Sequence, residues 1–178
     1  MTSNPTPGQF HRNLEVAQIG TNPANLPLTV DLTVSQERIT REVPGQVVLT
    51  VTNDGNSPRQ IGRPFYKGAS VEHGPQGILL ISVDAPEARS IDLACTGDGK
   101  TRENLARTEE YPIPSTIDSG EAVVYEFLVI DDPTHPGCLP PNRYRFTNTF
   151  TVEGGPDGGT DLTFELRITD PNCSADTL

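Results

Sequence analysis

The stretch LPPNRYRFTNTFTV, residues 139–152, contains the clearest structural signal in the chain. After a double proline, polar and apolar side chains alternate with a period of two, which is the period of a β-strand with one buried face. One face carries Arg143, Arg145, Thr147, Thr149 and Thr151, and the other carries Tyr144, Phe146, Asn148, Phe150 and Val152. We therefore predict a strand whose aromatic face lies in a core.

The residues before this strand predict how the chain enters it. Tyr144 follows a proline turn, which is the sequence form of a tyrosine corner, where the phenol hydrogen-bonds to the backbone a few residues upstream. Asn142 lies where the turn favours a positive φ, a conformation that asparagine tolerates better than most residues. We interpret residues 135–155 as a turn that feeds a strand, not as a reactive loop.

Other segments show the same alternation. It recurs in LPLTVDLTVS, PGQVVLTVTN, SGEAVVYEFLVI and TDLTFELRIT, whereas GILLIS is apolar throughout and typical of a strand inside a sheet. Only KTRENLARTEEY, residues 100–111, favours a short helix. The pattern predicts an all-β fold, a single immunoglobulin-like antiparallel β-sandwich of about 7–9 strands with an extended N-terminal tail. We expect its core to contain Val47, Leu49, Val51, Phe127, Tyr144, Phe146, Phe150, Phe164 and Leu166.

The chain length of 178 residues suits one domain. Residues 1–27 are rich in proline and predict a tail that serves as a tether or as a docking strand. Within it, residues 13–20 carry strand-like apolar side chains, so we expect them to pair with a sheet edge of this chain or of a neighbour. Residues 28–170 form the predicted sandwich, with an insertion at 85–118, and residues 171–178 form a C-terminal tail.

The charge balance limits the classes of ligand that the chain can bind. The formal net charge is −11, which argues against nucleic acid as a ligand, because lysine and arginine supply the affinity for phosphates. Only Lys67 and Lys100 are lysines among the 13 basic residues, and an acidic surface poor in lysine suits a halophilic protein, with GC-driven codon bias as the alternative explanation. No apolar run is long enough to insert into a membrane. A lipid tether remains compatible with the chain if a leader is removed from it, and we expect an extracytoplasmic or cell-surface location although no signal-peptide pattern is present.

Three segments together resemble a known family. PGQVVLTVTNDGNSP, SGEAVVYEFLV and LPPNRYRFTNTFTV are similar, in that order, to the strand motifs of the BsuPI family of intracellular proteinase inhibitors and to related modules of haloarchaeal lipoproteins. The resemblance covers residues 28–152 and implies an immunoglobulin-like sandwich and, as one function, proteinase inhibition. Asn142 stands where the family has glycine, and the motifs carry no inhibitory residue.

Three cysteines leave several redox states open. Cys95, Cys138 and Cys173 fit one disulfide and a spare thiol, or three reduced thiols. We favour a disulfide between Cys95 and Cys138, which would join the insertion to the turn before Tyr144, over one between Cys138 and Cys173.

The residues expected of an active site or metal centre are not combined in any known pattern. His135 and Cys138 offer two zinc ligands, but no second pair is visible, and the single methionine, Met1, is remote from the cysteines of a copper site. No nucleophile motif surrounds a serine or a cysteine. We therefore predict no catalysis, no metal and no cofactor.

One loop is a candidate for recognition. Aromatic and basic side chains, which often dominate binding energy at interfaces, are concentrated in residues 61–77. They are Arg63, Phe65, Tyr66, Lys67 and His73. A purely structural role, with Phe65 entering the core from a strand, is the alternative. We predict a non-catalytic binding or structural module with a protein partner, displayed at the cell surface or built into a homo- or hetero-assembly through residues 13–20, with proteinase inhibition as the alternative function.

Overall fold

The computed structural model describes residues 10–20, 26–91, 94–95 and 113–172, and these residues form an all-β structure. In chain order the strands are β1 (His11–Gly20), β2 (Leu28–Gln36), β3 (Arg38–Thr40), β4 (Gly45–Asn53), β5 (Arg59–Ile61), β6 (Lys67–Ala69), β7 (Ile78–Ser82), β8 (Ser115–Ile117), β9 (Ala122–Asp131), β10 (Asn142–Phe150) and β11 (Thr160–Thr169). One 3₁₀ turn, Pro86–Ser90, is the sole helical element of the described residues. No helix in that part of the chain has the length and apolar character to span a membrane. The short helix favoured for residues 100–111 lies outside the described residues, and so do residues 173–178 of the predicted C-terminal tail 171–178, including Cys173.

Two antiparallel sheets form the predicted sandwich. One has the strand order β10-β11-β1-β3, and the other has the order β2-β4-β9-β7-β6. A small sheet of β5 and β8 lies beside them, and β8 belongs to the predicted insertion. The prediction of an all-β antiparallel sandwich is therefore confirmed, and the described residues contain eleven strands instead of the seven to nine expected. The surplus arises because β3, β5, β6 and β8 have three residues each, too few to show a period.

The N-terminal strand lies within the sandwich. Residues 1–27 were expected to serve as a tether or as a docking strand. β1 is a docking strand, because it pairs with β11 of its own chain over Asn13 to Gly20. Its other edge pairs with β3 over His11 to Asn13. A bulge between Val16 and Gln18 shifts the register, which makes the remaining edge a poorer template for another strand. The sandwich therefore begins at β1 and not at residue 28.

The alternation predicts the core correctly. All nine core residues named above are at most 5% exposed, and none is at the surface. Phe146 and Phe164 lie opposite each other in the β10–β11 register and stack with ring centroids 5.3 Å apart. Phe65 meets both rings edge-on, at 6.0 and 6.2 Å, and so closes the aromatic centre.

A second apolar cluster lies on the opposite face of the five-stranded sheet. Leu128 and Ile130 alternate along β9 with Phe127 and Val129, which point into the main core. They pack with Ile81 and with Ala85, at the start of the 3₁₀ turn. The beginning of the predicted insertion therefore covers part of this face, and β9 is buried on both sides near its end.

The turn before β10 is a tyrosine corner. Tyr144 is fully buried and donates its phenol hydrogen to the carbonyl of Pro140, four residues upstream. The positive φ expected at Asn142 is wrong, because Asn142 begins β10 and Leu139 takes that conformation, at φ 47°. Two contacts hold Leu139 in this backbone conformation. Its side chain is buried, and its carbonyl accepts a hydrogen bond from Arg12 Nε at 3.1 Å.

Replacing Tyr144 with phenylalanine should change how stability depends on pH. Burial raises the pKa of Tyr144 to about 12, against a smaller lowering by the charge of Arg12. An unfolded tyrosine has a pKa of about 10, so the stability that the neutral phenol contributes is complete below pH ~10 and is lost as the pH rises towards ~12. Tyr144→Phe should cost about 1 kcal/mol at neutral pH through the lost hydrogen bond, and the gap to the native protein should narrow above pH ~10. Urea unfolding of the native protein and of Tyr144→Phe across this pH range measures the difference between their free energies of unfolding. A difference that stays constant with pH would contradict the raised pKa of Tyr144.

Candidate functional site

The recognition loop of residues 61–77 is held by internal contacts. Phe65 is 6% exposed and packs into the aromatic centre, so it does not reach a partner. Tyr66 is half-buried and packs against the second apolar cluster. His73 is exposed in the turn between β6 and β7. The structure therefore does not bring the five predicted binding residues together as one exposed patch.

Arg63 is the centre of a polar network beside β7 and β9 of the five-stranded sheet. Its Nη2 donates to Ser82 Oγ and, at 2.8 Å, to Asp84 Oδ2. Its guanidinium also lies between two rings, with Cζ 5.1 Å from the centroid of Tyr66 and 5.0 Å from that of Tyr125. The side chain is only 12% exposed, and such desolvated cation–π contacts stabilise a fold. Arg63 therefore acts within the chain.

Lys67 has a similar internal role. Its Nζ lies 2.7 Å from Glu87 Oε1 in the 3₁₀ turn, and both side chains are mostly covered, at 12% and 18% exposed. The hydrogen bond from Lys67 holds the pKa of Glu87 below its usual value. This pair fastens the start of the predicted insertion to β6.

Removal of Arg63 should therefore cost stability. Arg63→Ala breaks the bonds to Ser82 and Asp84 and empties the space between two tyrosine rings, and we expect the free energy of unfolding to fall by about 2 kcal/mol. Arg89→Ala, at an exposed arginine of the 3₁₀ turn, is the matched control and should stay within about 0.5 kcal/mol of the native protein. Chemical denaturation measures both. Equal stabilities for the two variants would show that the network contributes nothing.

A second group of chemically active side chains gathers at the end of β9. Cys95 and Cys138 form a disulfide with their Cα atoms 5.6 Å apart, which is the pairing favoured from the sequence. The carboxylate of Asp131 and the two sulfurs all lie within 4.8 Å of one another. Asp131 is fully buried, Cys95 is 1% exposed, and Cys138 is half-buried in the loop between β9 and β10.

Backbone hydrogen bonds tie this group to two neighbouring segments. The amide of Asp131 donates to the carbonyl of Ala94 at 2.9 Å, so the residue before Cys95 is tied to the end of β9. The amide of Ala94 in turn donates to the carbonyl of Arg41, in the turn before β4, at 2.8 Å. Cys95 is therefore positioned by two neighbouring segments in addition to its disulfide.

His135 belongs to a separate polar turn. Its Nδ1 lies 3.1 Å from Asp132 Oδ2 and 2.9 Å from Thr134 Oγ1, while Asp132 Oδ1 accepts a hydrogen bond from the amide of Thr134 at 2.9 Å. The side chain of His135 is 38% exposed. His135 is therefore bound to its neighbours in the turn, and it is not a member of the group around Asp131.

The outer face of β10 and β11 carries three exposed arginines. Arg143 and Arg145 alternate outward on β10, and Arg143 lies directly opposite Arg167 of β11 in the sheet register. Arg167 Nη1 is 3.1 Å from Glu15 Oε1 of β1, both side chains being about half exposed. The guanidiniums of Arg143 and Arg145 have no hydrogen-bond or ion-pair partner among the described residues. We call Arg143, Arg145 and Arg167 the arginine face.

Sequence reasoning favoured the Cys95–Cys138 pair but missed Asp131 beside it and the arginine face, although part of the signal was present. The period of two placed Arg143 and Arg145 on the outer face, but only the pairing of β10 with β11 brings Arg167 beside them. Asp131 follows an apolar strand in an acidic segment and resembles any solvated carboxylate until the fold buries it.

Comparisons of the chain with models of protein families, with curated proteins and with solved structures return no significant match.

Proposed function

We propose that the chain is a non-catalytic binding module that docks an acidic protein surface onto its arginine face, as part of a cell-surface array or a larger assembly. The observation that carries the proposal is the presence of two exposed guanidiniums, Arg143 and Arg145, that are unpaired among the described residues of a chain with a net charge of −11. Arginine is suited to this task because its planar group binds carboxylates through two parallel hydrogen bonds.

The arrangement of the charges supports a role outside the chain. Arg143 and Arg167 face each other across neighbouring strands, and like charges in this position destabilise a sheet. Arg145 lies opposite Glu165 in the same register, so the like-charged placement that cross-strand pairing does not explain is that of Arg143. A partner whose carboxylates contact both side chains would relieve the repulsion.

The scaffold beneath the face is rigid, which favours specific docking. Beyond the arginines, the Thr147 and Thr163 hydroxyls lie 3.0 Å apart, and Thr149 Oγ1 donates to Asp161 Oδ1 at 2.6 Å. Beneath them lies the stacked pair of Phe146 and Phe164. A preorganised flat surface loses little entropy on binding, and the net negative charge of the rest of the chain would orient an acidic partner towards this one face.

Charge reversal on the face tests the proposal. A fluorescein-labelled poly-L-glutamate peptide serves as the acidic probe, and fluorescence anisotropy at several salt concentrations follows its binding to the full chain. Arg143→Glu with Arg145→Glu should weaken binding at least ~10-fold, because two contacts become repulsions. Arg41→Glu with Arg89→Glu reverses two exposed arginines elsewhere, carries the same net charge, and should change binding less than ~2-fold.

The results of this experiment distinguish docking on the arginine face from general attraction of charge and from binding of a sulfated glycan. Binding that both double variants lose to the same degree would show attraction to total charge and not to the arginine face. Absence of binding to the native chain at every salt concentration would contradict the proposal. Heparin in a parallel titration distinguishes a sulfated glycan from an acidic protein as the ligand, and a preference for heparin would overturn the choice of partner.

The proteinase-inhibitor alternative depends on the motif resemblance alone. A panel of serine, cysteine and metallo-proteases assayed with micromolar protein tests it. Inhibition of one protease that survives the Arg143→Glu and Arg145→Glu changes would favour this alternative over docking through the arginine face.

A further inference from the structure

Three side chains near the end of β9 could together bind a metal ion, although a disulfide needs only two of them. Cys95, Asp131 and Cys138 place two sulfurs and a carboxylate oxygen within 4.8 Å of one another, and Asp131 is fully buried. Buried carboxylates persist where they are hydrogen-bonded, ion-paired or bound to a metal. Two sulfur ligands at this distance make the third role available to Asp131 on reduction, in addition to the contacts that it already has within the chain.

The dimensions suit a zinc ion. Zinc binds thiolate at about 2.3 Å and carboxylate oxygen at about 2.0–2.2 Å, so ligand atoms around one tetrahedral ion are separated by roughly 3.5–4 Å. Separation of the two sulfurs to that distance needs only side-chain rotation, because Cα atoms 5.6 Å apart are compatible with it. The partly exposed Cys138 gives the ion access from the solvent side.

We propose that reduction of the disulfide between Cys95 and Cys138 opens a zinc site made of these two thiolates and the carboxylate of Asp131, with a fourth position open to water. The reductant is a dithiol. It donates two electrons and two protons, the S–S bond breaks to give two protein thiols, and the dithiol becomes a disulfide. Zinc binding then displaces the two thiol protons to solvent.

The site has a structural consequence. The disulfide ties the segment around Cys95 to the loop between β9 and β10, and the amide of Asp131 ties it to the end of β9. A zinc ion bound to all three residues would keep the same attachment in the reduced protein. The chain would therefore hold its insertion by a covalent bond under oxidising conditions and by a metal under reducing ones.

Cobalt substitution provides the test. The full chain carrying Cys173→Ala, which removes the spare thiol, is reduced with a phosphine that does not chelate metals, and is then titrated with Co²⁺ and with Zn²⁺ as competitor. We expect one Co²⁺ per chain, with a thiolate-to-cobalt charge-transfer band and the visible bands of a tetrahedral ion, both removed by Zn²⁺. The oxidised protein should show none of these bands.

Two variants assign the ligands. Asp131→Asn should weaken metal binding at least ~10-fold, because loss of even an outer-shell partner costs about 10- to 100-fold. Glu126→Gln, at an exposed carboxylate of the same strand, should leave the affinity unchanged. Equal affinities for Asp131→Asn and the control, or no tetrahedral spectrum in the reduced native chain, would overturn the proposal.

Circular dichroism keeps the test decisive if reduction unfolds the chain. Refolding on addition of stoichiometric Zn²⁺ would support the site, because the metal would replace the lost bond. Failure to refold with Zn²⁺, together with refolding on reoxidation, would show that the cysteines serve only as a disulfide.

Discussion

Replacement of Phe146 with alanine is expected to lower the free energy of unfolding by about 3–5 kcal/mol. The ring is fully buried, stacks on Phe164 and receives the edge of Phe65, so its removal deletes contacts with β11 and with the segment before β6 and leaves a cavity in the core. Neighbouring strands cannot collapse into this space without breaking the β10–β11 register. Since domains of this size are stable by only about 5–15 kcal/mol, the variant should be close to unfolding at room temperature.

Urea denaturation followed by circular dichroism measures this loss. Val124→Ala is the control, because Val124 lies on a strand of the opposite sheet and is 53% exposed, so its truncation should change stability by no more than about 0.5 kcal/mol. If Phe146→Ala and Val124→Ala unfold at the same urea concentration, the aromatic centre is not where the stability of the chain lies.

Removal of the disulfide is expected to cost up to about 4 kcal/mol. The bond between Cys95 and Cys138 closes a loop over a sequence separation of 43, and the chain-entropy model gives about this value for a loop of that length. The double variant Cys95→Ala with Cys138→Ala also removes the nearly buried Cys95 sulfur, but it keeps the backbone bond from Asp131 to Ala94. We therefore expect the variant to fold with a lowered midpoint.

Thermal and urea unfolding of both proteins in the presence of EDTA measures this effect without interference from metals. Cys173→Ala is the control for loss of a thiol as such. A double variant as stable as the native chain would show that the backbone bonds of Ala94 and Asp131 already hold this segment, and that the disulfide adds nothing.

The long strands were predictable because alternation reports one buried face. Phe146 and Phe164 lie in the core as their patterns required, and the apolar run at 78–82 is a strand inside the sheet, flanked by β6 and β9. The short strands β3, β5, β6 and β8 were missed because three residues cannot display a period. The sequence did not show which sheet edge β1 would join, because the same side chains suit pairing with β11 of its own chain and pairing with a neighbouring chain.

The functional groups were less predictable, because they depend on contacts between distant residues. Arg63 and Lys67 looked available in the sequence, but their partners Asp84 and Glu87 lie on the far side of β7 along the chain. The pairing of Cys95 with Cys138 was one of several open choices, and nothing in the sequence placed Asp131 beside it. Residue type alone shows which chemistry is present, but burial and register decide whether it faces a partner.

The pairing of β1 with β11 governs the order in which this chain can fold. During synthesis β1 leaves the ribosome before every other described strand, whereas β11, its main partner, leaves after all of them. The four-stranded sheet therefore cannot close on a nascent chain, while β2 and β4, joined by a short connection, can pair early. Contacts between segments so far apart in sequence also slow folding after release. Until β11 arrives, β1 is an unpaired strand, and the prolines on both sides of it, which cannot donate a ladder hydrogen bond, limit its pairing with other chains.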